Sequence, residues 1–249
     1  MSLPKDEPRI SIVTPMKDEA ANVEAMVSEV AEACAELAPF ELIIVDDGST
    51  DDTVSVAERL RAETAPWLRI VSHEASCGQS AAVLTGVLAA KAPIIVTLDG
   101  DLQNPPAEIP RLAAPLLDAA NGPVGLVAGQ RRERMDTTGK RLASRLANGL
   151  RRRILKDDTR DTGCGAKAFR REMFLRLPYF DHIHRYLPAL ARREGWDVVL
   201  IDVEDRARSA GKSHYTNFGR AIVGASDLLG VWWLMRRRKL PRVRERSPS

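Results

Sequence analysis

The sequence predicts an α/β fold, a mostly parallel sheet with helices on both faces. Three observations point there. Short β-branched apolar runs alternate with helical-period stretches, joined by short links. The runs are apolar throughout, as in strands buried on both faces. Three of them end in acidic or turn residues: Pro15 to Glu19, Asp46 to Asp47, and Asp99 to Asp101. Parallel strands carry such ends to one edge, where open α/β sheets bind ligands.

Residues 9–15 read as the first strand, ended by Pro15, which has no N–H to give a ladder. From residue 19 to 37, apolar side chains recur at Val23, Met26, Val27, Val30, Ala33, Cys34 and Leu37, a helical stripe. Residues 41–45 (ELIIV) are a second buried strand, ending in Asp46-Asp47-Gly48-Ser49-Thr50. Asp51 or Asp52 is placed to cap the next helix, which runs to about Arg61. Residues 68–72 read as a strand, 78–90 as a helix and 94–98 as the fourth strand. A helix over 108–119, a strand over 124–128 and a late strand over 197–203 (DVVLIDV) complete the pattern.

The fourth strand delivers Asp99 and Asp101 on either side of Gly100, and Asn104-Pro105-Pro106 stops regular continuation. Hard divalent cations such as Mg²⁺ take oxygen ligands, commonly one or two carboxylates plus phosphate. A strand-end Asp-x-Asp therefore suits a metal and a diphosphate, although a plain polar turn has the same letters. No G-x-G-x-x-G follows the first strand and no G-x-x-x-x-G-K-[ST] occurs. An acidic edge repels a diphosphate unless a cation lies between them.

The 249 residues allow one α/β domain or two small ones. Cys34, Cys77 and Cys164 are widely spaced and odd in number, which implies a reducing compartment. The start, MSLPKDEPRI, lacks the basic and apolar regions of a secretory signal. A net charge of +3 conceals an asymmetry. Residues 1–130 hold eight Lys/Arg against twenty Asp/Glu, residues 131–161 eleven against five, and residues 236–249 seven against one. A basic second half suits nucleic acid, an anionic membrane or a phosphorylated substrate; a solvated charged face has the same composition.

IVTPMKDEAANV, LIIVDDGSTDDT, TLDGDLQNPP and DTGCGAKAF, in that order, resemble a family 2 inverting glycosyltransferase of GT-A fold. DLQNPP and the late RSAGKS run favour the branch that transfers sugars to polyprenyl phosphates, as dolichyl-phosphate mannosyltransferase does. The resemblance covers Ile10 to about Tyr215. It implies that Pro15, Glu19, Asp46 and Asp47 line the base and ribose pocket. Asp99, Asp101 and Gln103 would hold Mg²⁺ or Mn²⁺ on the diphosphate, and Arg208 and Ser213 would belong to a loop closing over the donor. Arg131, Lys140, Arg141 and Ser144 fall where the acceptor phosphate binds, with Asp161 nearby. Lys17-Asp18 departs from the family's commoner Tyr-Asn, which leaves the donor base open between UDP- and GDP-linked sugars.

The implied reaction has a phosphate oxygen as nucleophile. It is already anionic, so it needs positioning and charge neutralisation more than a base. Arginine's planar fork suits that task. Asp161 could orient the acceptor or a basic residue, or cap a turn. His73 and His182 lack a Cys or carboxylate at ligand spacing and read as incidental, and His184 to Pro188 reads as a packed loop.

Two segments suit a lipid acceptor. From 140 to 156, Leu142, Leu146, Leu150 and Ile154 form a stripe flanked by Arg141, Arg145 and Arg151 to Arg153. Residues 221–235 are largely apolar and end in Trp232-Trp233 before Arg236 to Lys239. The second run is too short and too broken by Asp227 to span, which takes ~20 apolar residues. Both fit helices lying in a membrane interface, and both also fit ordinary packed helices or a dimer contact. The expected organisation is a glycosyltransferase domain over 1–215 with its basic segment at 131–161, an interfacial helix over 216–240, and a disordered basic tail over 241–249. The protein is expected on the cytoplasmic face of a membrane, as a peripheral enzyme or homo-oligomer. A nucleic-acid module is disfavoured because 131–161 holds no aromatic residue to stack on bases. Another lipid or glycan acceptor, or a nucleotide-binding scaffold without turnover, are the alternatives.

Overall fold

In the computed structural model, strands form where the apolar runs lie and helices where the 3.6-residue stripes lie. The structure describes residues 7–118, 120, 122–131, 149, 151–206, 217–239 and 244. Lys140, Arg141, Ser144, Arg208 and Ser213 lie outside the described residues, as does most of the 140–150 stretch.

The chain runs β1 (Ile10–Met16), α1 (Ala20–Ala33), β2 (Phe40–Asp46), α2 (Thr53–Glu63), β3 (Leu68–Ser72), α3 (Gln79–Ala89) and β4 (Ile94–Thr97). It continues α4 (Ile109–Leu117), β5 (Val124–Arg131), β6 (Lys167–Arg170), α5 (Arg171–Leu175), α6 (Leu187–Arg193), β7 (Asp197–Val203) and α7 (Asn217–Arg237). The seven strands are ordered β3-β2-β1-β4-β6-β5-β7. All pairings are parallel except those of β6, which lies antiparallel between β4 and β5.

Side chains alternate across each strand and build two apolar layers. Ile10, Ile12, Leu42, Ile44, Ile94 and Val96 pack with Val23, Met26, Ala57, Ile109 and Leu112 of α1, α2 and α4. Val13, Ile43, Val45, Ile95 and Phe169 face the other way, toward α3, α5, α6 and Val231 of α7. Strands covered on both faces are why these runs show no polar alternation.

Several expectations need correction. Pro15 does not end β1, which continues to Met16. Leu98 N–H donates to Val13 O and Asp47 N–H to Met16 O, so alternate β1 residues face β4 and β2. Pro15 therefore faces β4 beyond its last paired residue, Thr97, and its missing N–H costs no ladder bond. Asp52 makes no side-chain cap; Asp51 accepts from Thr53 N–H at 3.0 Å and from Ala20 N–H at 3.1 Å, tying the starts of α1 and α2 together. Residues 124–131 extend the predicted strand by three residues. Arg151 does not flank a surface stripe; it is buried, paired with Asp157 and bonded to Thr159 O. His184 to Pro188 is a 3-10 turn, Ile183–Arg185, leading into α6.

Candidate active site

The carboxyl ends of β1, β2, β4 and β5 and the start of β6 share one edge. The first two loops there are tied to each other. Asp18 Oδ1 accepts from Thr50 N–H at 2.7 Å, and Ser49 Oγ from Asp18 N–H at 2.9 Å. Glu19 N–H donates to Thr53 Oγ1 at 2.9 Å. Asp46 Oδ1 accepts from Ser49 N–H, closing the turn at Gly48, where φ is +71° and a Cβ would lie 2.8 Å from Ser76 N, leaving no room for a side chain.

Asp47 points to the neighbouring loop. Its oxygens meet His73 Nδ1 (2.8 Å), Ser76 Oγ (2.8 Å), Cys77 N–H (2.7 Å) and Gly78 N–H (2.9 Å). Burial opposes the charge, but these bonds outweigh it and hold the carboxyl below its usual range. His73 Nε2 meets Thr85 Oγ1 at 2.9 Å, so this histidine is not incidental. Asp47, His73 and Cys77 offer ligand atoms within 4.8 Å of one another. The hydrogen bonds account for that convergence without an ion: Asp47 organises the loop leading into α3.

Asp99 and Asp101 follow β4 as expected. Gly100 between them packs so closely on β1 that a Cβ would lie 2.8 Å from Pro15 O. Leu102, at φ 60°, turns the chain sharply, and Gln103 N–H donates to Asp101 Oδ1 at 3.2 Å. Burial and the neighbouring Asp101 push the Asp99 carboxyl up to about 6, against the pull of Lys167, Arg131 and Gln79. Gln79 Nε2 donates to Asp99 Oδ1 at 2.7 Å. Lys167 is buried, its Nζ donating to Cys164 O, and burial lowers its pKa. A recess opens against Asp99, bordered by Pro15, Gln79, Lys167 and His184.

Two strands away, Arg131 ends β5 and meets Asp161 through Nε at 2.6 Å and a terminal nitrogen at 3.2 Å. Its other terminal nitrogen lies 3.9 Å from Asp205. Gln130 Oε1 receives the N–H groups of Arg160 and Asp161, which fixes the DTGCG segment beside β5. Burial works against the Arg131 charge, but Asp161 overrides it and raises the pKa. Arg206 N–H donates to Gln103 O at 2.9 Å and its guanidinium pairs with Glu29. The chain leading toward Arg208 thus starts beside the Asp-x-Asp turn.

Among the described residues, Asp99 lies within electrostatic reach of Asp101, Lys167 and Arg131, and Arg131 in turn meets Asp161 and Asp205. The raised Asp99 and all-oxygen donors fit a hard divalent ion held by Asp99 and Asp101.

The fold and this edge define a GT-A-type α/β protein. The chain belongs to glycosyl transferase family 2, whose domain profile matches residues 11–177. It is 32% identical over 207 residues to undecaprenyl-phosphate 4-deoxy-4-formamido-L-arabinose transferase of Aeromonas hydrophila, covering 83% of this chain and 62% of that protein. It is 32% identical over 242 residues to dodecaprenyl-phosphate galacturonate synthase of Rhizobium johnstonii, covering 93% and 69%. It thus spans about 62–67% of the length of the transferase relatives from Aeromonas and Pectobacterium carotovorum. Glucosyl-3-phosphoglycerate synthase of Mycobacterium tuberculosis, solved with Mn²⁺, UDP-glucose and phosphoglyceric acid, has a similar fold: TM-score 0.66 at 22% identity, covering 92% of this chain and 79% of that one. The same protein solved with Mg²⁺ and UDP gives 0.65 at 21%, covering 92% and 79%.

Proposed function

We propose that this chain transfers a sugar, with inversion, from a UDP- or GDP-linked donor to a polyprenyl phosphate at a membrane surface. One observation carries the reading: a carboxylate pair after β4 and a buried Arg131–Asp161 pair at β5 share one sheet edge, two strands apart. The names of the relatives support the acceptor class. Pro15, Glu19 and Asp46 line the nucleotide side, with Asp47 shaping the adjacent loop. Asp99 and Asp101, with Gln103, hold Mg²⁺ or Mn²⁺, which when bound supplies positive charge to the departing diphosphate. Arg131 neutralises and orients the acceptor phosphate, and Asp161 keeps that guanidinium in place. Lys140, Arg141 and Ser144 join the acceptor side, and Arg208 and Ser213 the donor side.

The membrane part rests on α7, with the glycosyltransferase domain over 1–215, the interfacial helix over 216–240 and a basic tail beyond. Among the described residues no helix is long and apolar enough to cross a membrane. One face of α7 docks on the body through Val231, Asp227 with His182 at 3.2 Å, and Tyr186 OH to Gly224 O at 3.3 Å. The other presents Leu229, Trp232 and Trp233, with Arg236 and Arg237 over the two indoles at 4.2 and 5.6 Å. The test is a panel of nucleotide sugars with undecaprenyl phosphate and Mn²⁺, reading labelled lipid. Transfer from at least one donor is expected, and none from any donor rejects the reading.

A further inference from the structure

The sheet order leaves a specific place for the sugar, given the function proposed above. The nucleotide lies over the ends of β2 and β1, its diphosphate over Asp99 and Asp101 after β4, and the acceptor phosphate at Arg131 on β5. Between β4 and β5 runs β6, whose first residue, Lys167, stands opposite Thr97. Strands are ~4.8 Å apart, so about 10 Å separates β4 from β5. The transferred group must bridge that gap above the start of β6. The recess beside Asp99 opens there, with Gln79, Lys167 and His184 as polar walls and Val83 and Leu187 as apolar ones. A few fixed polar atoms beside apolar walls can orient a ligand group that reaches this edge.

We propose that His184 determines donor-sugar specificity, with its Nε2 hydrogen-bonding a hydroxyl of the transferred sugar. Its other nitrogen, Nδ1, meets Ser80 Oγ at 2.8 Å, and Ser80 is buried near the start of α3, so the ring orientation is fixed. Nε2 has no hydrogen-bond partner among the described residues, and the residue as a whole is half-buried. By contrast, Gln79 Nε2 is engaged with Asp99 and Lys167 Nζ with Cys164 O. Burial, then Lys167 and Arg185, hold the ring well below its ordinary pKa, so it is a neutral hydrogen-bonding group rather than a competing cation for the diphosphate. The histidine comes from a segment 85 residues beyond Asp99, which allows sugar choice to vary independently of the metal turn.

The test is calorimetric titration with Mn²⁺ present. UDP, GDP, UDP-glucose, UDP-galacturonate and GDP-mannose are run against wild type, His184→Ala and His184→Gln, with each variant's Tm recorded. His184→Ala should weaken at least one nucleotide sugar tenfold or more while leaving its parent diphosphate within twofold. His184→Gln, which places a hydrogen-bonding amide near the position of Nε2, should recover part of the loss. Unchanged nucleotide-sugar affinity in His184→Ala overturns the assignment, and so does an equal fall for sugar and parent diphosphate, which marks a structural role. Wild-type protein that binds none of the nucleotide sugars rejects the transferase reading itself, a distinguishable result.

Discussion

Arg131 and Asp161 face each other as a two-point pair, with Nε–Oδ2 at 2.6 Å and the second contact at 3.2 Å, both side chains nearly buried. Asp161 also accepts from Gly163 N–H at 3.0 Å. A carboxylate so engaged is badly placed to abstract a proton, and a phosphate nucleophile has none that must be removed. Asp161 is therefore argued to be a positioning residue for Arg131. Asp161→Asn should raise the acceptor KM at least tenfold and leave the shape of the pH–rate profile unchanged. A general base would instead cost kcat by ~10²–10⁴ and remove one limb of the profile. Asp161→Asn and Arg131→Lys should also be strongly non-additive, because they disrupt one interaction.

Asp99 predicts a pH dependence with a definite sign. An unfolded aspartate titrates near 3.9. In the fold, burial and Asp101 push Asp99 up to about 6, so folding favours its protonated form. That contribution is fully present below about pH 4 and is lost as pH rises through about 6. Without metal, Asp99→Asn should be more stable than wild type at pH 7.5, by roughly 2–3 kcal/mol at most, and similar to it at pH 4. A cation beside the carboxylate removes the penalty. The Tm gain from Mn²⁺ should therefore grow between pH 5 and 7.5 in wild type. A gain that is flat across that window, or equal in Asp99→Asn, takes Asp99 out of the metal site.

Gly165 sets the position of that carboxylate from the segment leading into β6. A Cβ there would lie 2.2 Å from Asp99 Oδ1, and Thr97 Oγ1 bonds to Gly165 O at 2.7 Å, so neither side can retreat freely. Gly165→Ala should cost ~1–3 kcal/mol, as overpacking does, and abolish the Mn²⁺-induced Tm gain. Gly224→Ala is the control, for nothing lies within 4 Å of its Cβ position and helix propensity favours alanine. If Gly165→Ala retains the full metal response, the close approach does not constrain Asp99.

These relationships differ in how far the sequence exposes them. The strand-end carboxylates are legible because a strand buried on both faces is a continuous apolar run, and Asp46 and Asp99 immediately end such runs. β6 is not legible: its four residues, Lys167–Arg170, hold only Ala168 and Phe169 between two basic side chains. Without β6 the distance between the Asp99–Asp101 turn and Arg131 cannot be set. His73 looks incidental because its partner Asp47 is 26 residues away, just past the end of the neighbouring strand, so local spacing carries no trace of it. His184 is hidden similarly, since its partner Ser80 is 104 residues distant. Arg151 misleads because an arginine on a basic stripe and an arginine buried against Asp157 have the same sequence context.

The exposed face of α7 carries the last prediction. A polyprenyl chain leaves a bilayer only at roughly 0.8 kcal/mol per CH₂, so an enzyme using it must come to the surface. Leu229 is 65% exposed and Trp233 53%, while Val231 on the opposite side is 1% exposed. The helix can thus keep its inner contacts while its outer face meets lipid. Tryptophan favours the headgroup region, and Arg236 and Arg237 add about 1 kcal/mol each toward anionic lipid, less at high salt. Wild-type protein should float with anionic vesicles at low salt and be partly released by salt. Leu229→Glu with Trp233→Glu should reduce flotation at least tenfold without lowering Tm appreciably, since both side chains already face solvent. Truncating α7 would be a poorer test, because it also removes Val231 and the His182–Asp227 contact. If this face joins two copies instead, the double variant will change the mass measured by light scattering and leave vesicle binding intact. Wild-type protein that ignores anionic vesicles at low salt defeats the membrane reading outright.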